Sequence, residues 1–292
     1  MSWRTVVVTG YAKLDYRMDY LVVRKKDETY RINISEISIL MVDSTTISLT
    51  TTLLSELVKK KVKVIFCDEK HNPSSELVGY YGSHDTSIKI RKQIIWDDYI
   101  KAQVWTEIVT EKIRRQVRHL YLRKLNQQAD LLRGYCREVQ IGDVSNREGH
   151  AAKVYFNALF GRDFTRSEDN IINAALNYGY GIILSCFTRE IVANGYITQI
   201  GIFHDNMFNQ FNLASDLMEP FRILVDKKIC NMELNQFEHS EKMEVLSVLK
   251  EQVIIDGNLH YVDNAIKIYT RSVLDALNER DISLIKVYKD EL

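Results

Sequence analysis

Three segments in the second half of the chain hold side chains able to do chemistry. They are Arg147-Glu148-Gly149-His150-Ala151-Ala152-Lys153-Val154-Tyr155-Phe156, then Ala175-Leu176-Asn177-Tyr178-Gly179-Tyr180-Gly181-Ile182-Ile183-Leu184, then a run from Gly201 to Arg222. The last contains Ile202-Phe203-His204-Asp205 and Ser215-Asp216-Leu217-Met218-Glu219-Pro220-Phe221-Arg222. A carboxylate (Glu148), an imidazole (His204) and a second carboxylate (Glu219) make a ligand set for a divalent ion. Oxygen-rich sites with one nitrogen suit Mg²⁺ or Mn²⁺ better than zinc. Asp216, three residues before Glu219, shares its face if the segment is helical, which makes it a supporting ligand or an orienting group. An ion held this way activates a hydroxyl nucleophile and stabilises the leaving oxygen of a phosphodiester.

Each of these residues also has a structural reading, and singly that reading is the better one. Ser145-Asn146-Arg147-Glu148 fits the capping box, in which Glu148 reaches back to its own helix start. Asp216 suits the same part, and Glu219 before Pro220 suits a helix boundary. His204 after Ile202-Phe203 reads equally as a hydrogen-bonded core histidine. Because the carboxylates and imidazole come from distant parts of the chain, spacing alone does not choose between the two readings.

The elements that must position them change character along the chain. Up to about residue 78, short β-branched or aromatic runs (Thr5–Thr9, Tyr20–Val23, Tyr30–Ile34, Ile37–Val42) alternate with polar stretches, the pattern of a small β-domain. Leu53, Leu54, Leu57 and Val58 mark a helix, Val62–Phe66 another strand, and Gly79–Ser87 a linker. Beyond about residue 90 the period is helical, with Trp105, Val109, Ile113, Val117, Leu120 and Leu125 as one apolar stripe. Lys112, Arg114, Arg115 and Arg118 fall mostly off that stripe. The expected architecture is α+β: a β-rich, sandwich-like domain over 1–84, then a larger all-α domain over 85–292 that carries the candidate site.

Composition agrees with two folded domains and excludes other classes. The chain has 292 residues, 46% apolar and 27% charged, with two prolines and 12 glycines. That is neither a disordered tail nor a membrane bundle. The start Met1-Ser2-Trp3-Arg4 has no apolar signal core, and four isolated cysteines give no zinc or disulfide frame. A cytoplasmic protein is expected, and the terminal Lys289-Asp290-Glu291-Leu292 reads as a chance match to the retention signal. Formal net charge is zero, yet Lys89–Arg137 holds 12 basic residues against five acidic, and Met232–Leu292 holds seven against 12. The basic run reads as a solvated helix face unless a phosphate-chemistry site stands beside it, in which case it is a DNA contact.

The segments R-E-G-H-A-A-K-V-Y-F, A-L-N-Y-G-Y-G-I-I-L and F-N-L-A-S-D-L-M-E-P-F-R resemble the CRISPR-associated adaptation integrase, also described as an endonuclease. The resemblance covers essentially the whole chain, and the start Ser2-Trp3-Arg4-Thr5-Val6-Val7 is similar to the version of type II systems. It implies that Glu148, His204 and Glu219 are catalytic metal ligands for Mg²⁺ or Mn²⁺, with Asp216 at or beside the metal. It implies DNA contacts from Tyr178 and, with the basic run, from Arg114, Arg115 and Arg118. The implied reaction is transesterification, a 3′-hydroxyl of a short duplex attacking a phosphodiester of the CRISPR repeat, with hydrolysis when water is the nucleophile. The implied partners are double-stranded DNA and a second copy of this chain, paired through the β-domains. A small adaptation protein completes a heterohexamer of four and two copies, and other type II proteins join if the system is of that kind. The competing readings are a DNA-binding scaffold whose carboxylates only cap helices, and a helical metal-dependent phosphohydrolase of small substrates.

Overall fold

The computed structural model describes residues 4–79 and 83–290. The start at Met1–Trp3, the middle of the expected linker and the last two residues of the terminal tetrapeptide lie outside them. The chain divides into two compact units, Met1–Gly82 and Ser83–Leu292.

The first unit holds β1 (Arg4–Val8), β2 (Lys13–Arg17), β3 (Tyr20–Arg24), β4 (Thr29–Asn33), β5 (Ile37–Val42), β6 (Ser48–Leu49), α1 (Thr51–Lys59), β7 (Lys63–Cys67) and β8 (Pro73–Leu77). Two four-stranded sheets form, in the orders β1-β5-β7-β8 and β4-β3-β2-β6. In the first, β5 is buried along its whole length, as its unbroken run Ile37-Ser38-Ile39-Leu40-Met41-Val42 predicts for a strand with both neighbours parallel. Val8, Leu40, Val42 and Val64 of one sheet share a core with Leu14, Leu21 and Val23 of the other, and Leu53 and Leu57 of α1 join it. Burial of such side chains, at roughly 25 cal/mol per Å² of apolar surface, is what makes the sandwich hold.

The second unit holds α2 (Thr86–Ile94), α3 (Asp98–Leu122), α4 (Asn126–Arg137), α5 (Arg147–Phe160), α6 (Ile171–Ala193), α7 (Asn212–Leu217), α8 (Arg222–Cys230), α9 (His239–Leu246), β9 (Gln252–Ile255), β10 (Asn258–Tyr261), α10 (Val262–Glu279) and β11 (Lys289–Asp290). Strands β10, β9 and β11 form a small antiparallel sheet, so this mostly helical unit is not all-α as expected. The β9–β10 turn is Asp256-Gly257, both at positive φ (53° and 76°), the residue pair a two-residue hairpin requires.

Helix α3 is the spine of the unit, packed on α4, α5, α8 and α10. Its start is capped by Asp97, which accepts from the N–H groups of Tyr99 and Ile100. Helix α6 is long and apolar enough to cross a membrane by length and composition, but most of its apolar residues, Leu176, Ile183 and Phe187 among them, are buried within this unit. A Cβ on Gly179 of α6 would lie 2.3 Å from a methyl of Val225 on α8, so only glycine permits this close helix contact. None of the four cysteines forms a disulfide; Cys67 and Cys186 are buried, Cys136 and Cys230 half-buried.

Candidate functional site

Glu148 is freed from capping by its neighbours. The start of α5 is capped by Asn146, whose side chain accepts from Gly149 N–H at 3.2 Å, and by Asp143, which accepts from the N–H groups of Arg147 (2.8 Å) and Glu148 (3.0 Å). The orphan donors of the first turn are thus already met. The expected capping box is not formed, and the Glu148 carboxylate turns instead to the Lys112 ammonium.

Glu219 opens the short 3₁₀ turn Glu219–Phe221 between α7 and α8, with Pro220 at its second position. Its carboxylate is buried, takes Lys112 on one oxygen and Arg222 on the other at 3.0 Å. Burial pushes this carboxyl up, but Arg222 and then Lys112 outweigh it, so it sits below the ordinary carboxylate range. Conversely, burial pulls the Lys112 ammonium down, and Glu219 and Glu148 more than restore it.

His204 and Asp216 form a second pair. Asp216 is wholly buried and accepts from the backbone N–H groups of Ile202 (2.6 Å), Phe203 (3.1 Å) and His204 (3.1 Å), and pairs with His204 Nδ1 at 2.6 Å. One carboxylate therefore folds the loop Gly201–His204 around itself. A Cβ on Gly201 would fall 2.3 Å from the His204 carbonyl oxygen, so the turn needs glycine there. With Nδ1–H given to Asp216, Nε2 is the free nitrogen of the neutral ring. The bond to Asp216 raises the imidazole's pKa, against a smaller effect of burial, and the nearby Glu219 adds to it. Trp105, seven residues before Lys112 on the same face of α3, stacks on Phe203 (4.4 Å between centroids) and meets His204 edge-on.

Among the described residues no three His, Cys, Asp or Glu side chains stand together as an ion-holding group: Glu148 and Glu219 face Lys112, while His204 faces Asp216. A cavity of about 340 Å³ opens beside the two glutamates, and Lys112, Arg166 and Arg222 lend it positive charge. At its wall Asp226 accepts from the Tyr180 hydroxyl. Burial pushes the Asp226 carboxyl up to about 6, opposed by the hydroxyls of Tyr180 and Tyr155. The native state thus holds a proton that the unfolded chain has lost between about pH 4 and 6, so stability should fall as pH rises through that window, by on the order of 3 kcal/mol. Asp226→Asn is expected to match the wild type near pH 4 and to exceed it at pH 7 in urea unfolding. A pH-independent difference would rule out this assignment.

Of the residues expected at DNA, the structure leaves two on the surface and draws two inside. Arg114 and Arg118 are exposed, Arg114 lying 3.6 Å from Glu107 and from Glu111. Arg115 is buried; its guanidinium pairs with Glu111 at 2.6 Å, lies 3.4 Å above the Tyr288 ring and donates to the Tyr288 carbonyl. Tyr178 is buried too, edge-on to Phe237 with Lys242 over its face. Both side chains pack in their own unit's interior, because α3 and α6 are covered on more than one side. Lys112, Arg166, Arg222 and Asp226 were not read as site residues. Lys112 carried a signal: it falls three to seven residues from Trp105, Val109 and Gln116, inside rather than outside the buried phase of α3.

Fold and site define a two-domain protein, β-rich then mostly helical, whose helical part buries a carboxylate–ammonium–guanidinium centre against a basic cavity. Residues 6–253 match the family described as CRISPR associated protein Cas1, and the chain belongs to that family. It is 31% identical over 262 residues, 89% of this chain and 84% of the other, to the CRISPR-associated endonuclease Cas1 of Neisseria meningitidis serogroup C (strain 8013). The fold is shared with a casposase bound to integration product (TM-score 0.77, 18% identity, 97% of this chain and 92% of that one). It is also shared with a chain of a partial Cas6-RT-Cas1–Cas2 complex (TM-score 0.66, 16% identity, 99% of both).

Proposed function

We propose that this protein is a divalent-ion-dependent DNA integrase and endonuclease of CRISPR adaptation. It joins the 3′-hydroxyl of a short duplex to a phosphodiester of the repeat, and hydrolyses DNA when water takes the hydroxyl's place. The observation that carries the reading is the meeting of Glu148 and Glu219, from separate elements, on one cationic position now taken by the Lys112 ammonium. Two carboxylates that already share a positive charge suit Mg²⁺ or Mn²⁺ chemically, and His204, whose imidazole feels the Glu219 charge, offers Nε2 as the nitrogen donor. Names that support the chemistry are the endonuclease relative and the casposase neighbour, the latter bound to integration product.

In this reading Glu148, Glu219 and His204 would hold the ion, and the chemistry it would supply is a lowered pKa for the attacking hydroxyl and charge compensation at the transferring phosphoryl group. Asp216 keeps His204 in the tautomer that presents Nε2. Arg222 holds one oxygen of Glu219, so that carboxylate cannot swing away. With Arg166 it also supplies positive charge to the cavity, where the phosphodiester is to sit. Since one phosphodiester replaces another, no nucleotide cofactor enters. Arg114 and Arg118, on the exposed side of α3, are proposed to follow the DNA backbone.

The partners are proposed on the same footing: a second copy through the β-rich unit, and a small Cas2-like protein, as the name of the partial Cas6-RT-Cas1–Cas2 complex suggests. The work is placed in the bacterial cytoplasm, where the array lies. The test is strand transfer between a 3′-hydroxyl duplex and a supercoiled repeat-bearing plasmid, with the small partner present. Joined product is expected in Mg²⁺ or Mn²⁺ and none in excess chelator; product that persists in chelator would defeat the ion-dependent reading.

A further inference from the structure

We infer that Lys112 is a built-in, exchangeable counter-ion of this site: its ammonium holds Glu148 and Glu219 together when no divalent ion is bound, and gives up that position to the ion, moving toward the adjoining cavity to meet a DNA phosphate. The inference rests on the ion-dependent reading above and adds a coupling between ion and DNA.

Three observations carry it. First, one ammonium bridges both carboxylates, and an ion cannot occupy the same point. Second, Glu219 keeps Arg222 at 3.0 Å on its other oxygen, so it does not depend on Lys112 alone for its charge balance. Third, there is room beside the pair, about 340 Å³, lined by Arg166, Arg222 and Asp226. With the ion on Glu148 and Glu219 in place of the ammonium, the cations Lys112, Arg166 and Arg222 that line this cavity would face Asp226 as its one acid not engaged by the ion. Such a cavity calls for an anion, and the phosphate of a bound duplex supplies it.

The energetic consequence is a linkage. Without DNA the ion must displace a well-paired ammonium, so binding is weak. With DNA the displaced ammonium gains a partner, so binding tightens, and reciprocally the ion tightens DNA. Removing the ammonium should therefore strengthen ion binding and dissolve the coupling. A merely structural lysine would behave otherwise: its loss would loosen the site and weaken the ion.

The experiment measures Mn²⁺ affinity by the electron paramagnetic resonance of free Mn²⁺, on the full chain, with and without a duplex whose 3′ ends are dideoxy-blocked. Glu148→Gln serves as the background for ions held by DNA. Wild type is expected to bind Mn²⁺ at least about fivefold tighter with the duplex, the lower end of ordinary coupling energies. Lys112→Met without DNA is expected to bind about tenfold tighter than wild type, with no further gain from the duplex. Equal or weaker Mn²⁺ binding by Lys112→Met overturns the inference. Absence from wild type of any Mn²⁺ site that Glu148→Gln removes overturns the ion reading itself, a separable result. Should Lys112→Met fail to fold, the wild type still decides. Its Lys112 ammonium protons, followed by nitrogen-15 NMR, are expected to be protected from exchange without ion and to lose that protection in Mg²⁺. Protection that survives saturating Mg²⁺ overturns the exchange.

Discussion

Glu148→Gln and Glu219→Gln are each expected to lower strand transfer about a hundred- to a thousandfold, yet to part company in stability. The rate loss is the size found when one preorganised electrostatic partner of a transition state is removed. The stabilities differ because the two carboxylates sit differently. The Glu148 side chain is 27% exposed and serves one cation, Lys112, which keeps Glu219 when Glu148 is neutralised. Its change should therefore cost less than about 1 kcal/mol. Glu219 is 5% exposed and serves two cations, Lys112 and Arg222. Making it neutral leaves the buried Lys112 with Glu148 alone and the 31%-exposed Arg222 short of its partner, a loss of about 3 kcal/mol, the lower end for a broken buried pair. Urea unfolding followed by circular dichroism, beside the strand-transfer assay, checks both halves. Full activity of Glu148→Gln would remove it from the ion site, and equal stability losses would show that Glu219 is not the electrostatic hub.

Asp216→Ala is expected to be among the most damaging single changes, costing about 3–5 kcal/mol in stability. Its carboxylate is the acceptor for three backbone N–H groups and for the His204 ring, in a position with no exposure. Each donor left unpaired in the interior costs about 1–3 kcal/mol, less where water reaches it, as it does around the half-exposed His204. Activity should fall with stability, because the loop that presents His204 is shaped by this residue. Asp216→Asn keeps one acceptor oxygen and is expected to lie between the two. The check is the urea midpoint of both variants. A loss under about 1 kcal/mol for Asp216→Ala would mean that the loop holds itself without the carboxylate.

The outline of the fold was readable because it rests on local periods. Short β-branched runs became β1, β3, β4 and β5, and the 3.6-residue stripe from Trp105 to Leu120 became α3. The hairpin of β9 and β10 carried its own signal in Asp256-Gly257, although the helical pattern around it dominated the reading. Where periodicity was asked to separate inside from outside on α3, it failed at Arg115 and Lys112. A helical period gives the phase of an apolar stripe, whereas the number of sides that other elements cover is a property of the assembled unit. Helix α3 meets α4, α5, α8 and α10 at once, so Glu111, Lys112 and Arg115 lie inside, each with an opposite charge or a ring for a partner, while Arg114 and Arg118 stay exposed.

The α+β order of the two units, the family and the candidate residues Glu148, His204, Asp216 and Glu219 were legible in the linear chain. Those depend on local pattern and on residue identity, which a linear chain carries in full. Only the tertiary structure decided which side chains face one another. It gave the capping of α5 to Asn146 and Asp143 and so released Glu148. It set Asp216 as the acceptor that shapes the His204 loop, and it placed Lys112 between two glutamates 36 and 107 residues further along the chain. Electrostatic and hydrogen-bond partners are chosen by distance in space, and a helix that packs on four others brings together charges that sequence separation keeps apart.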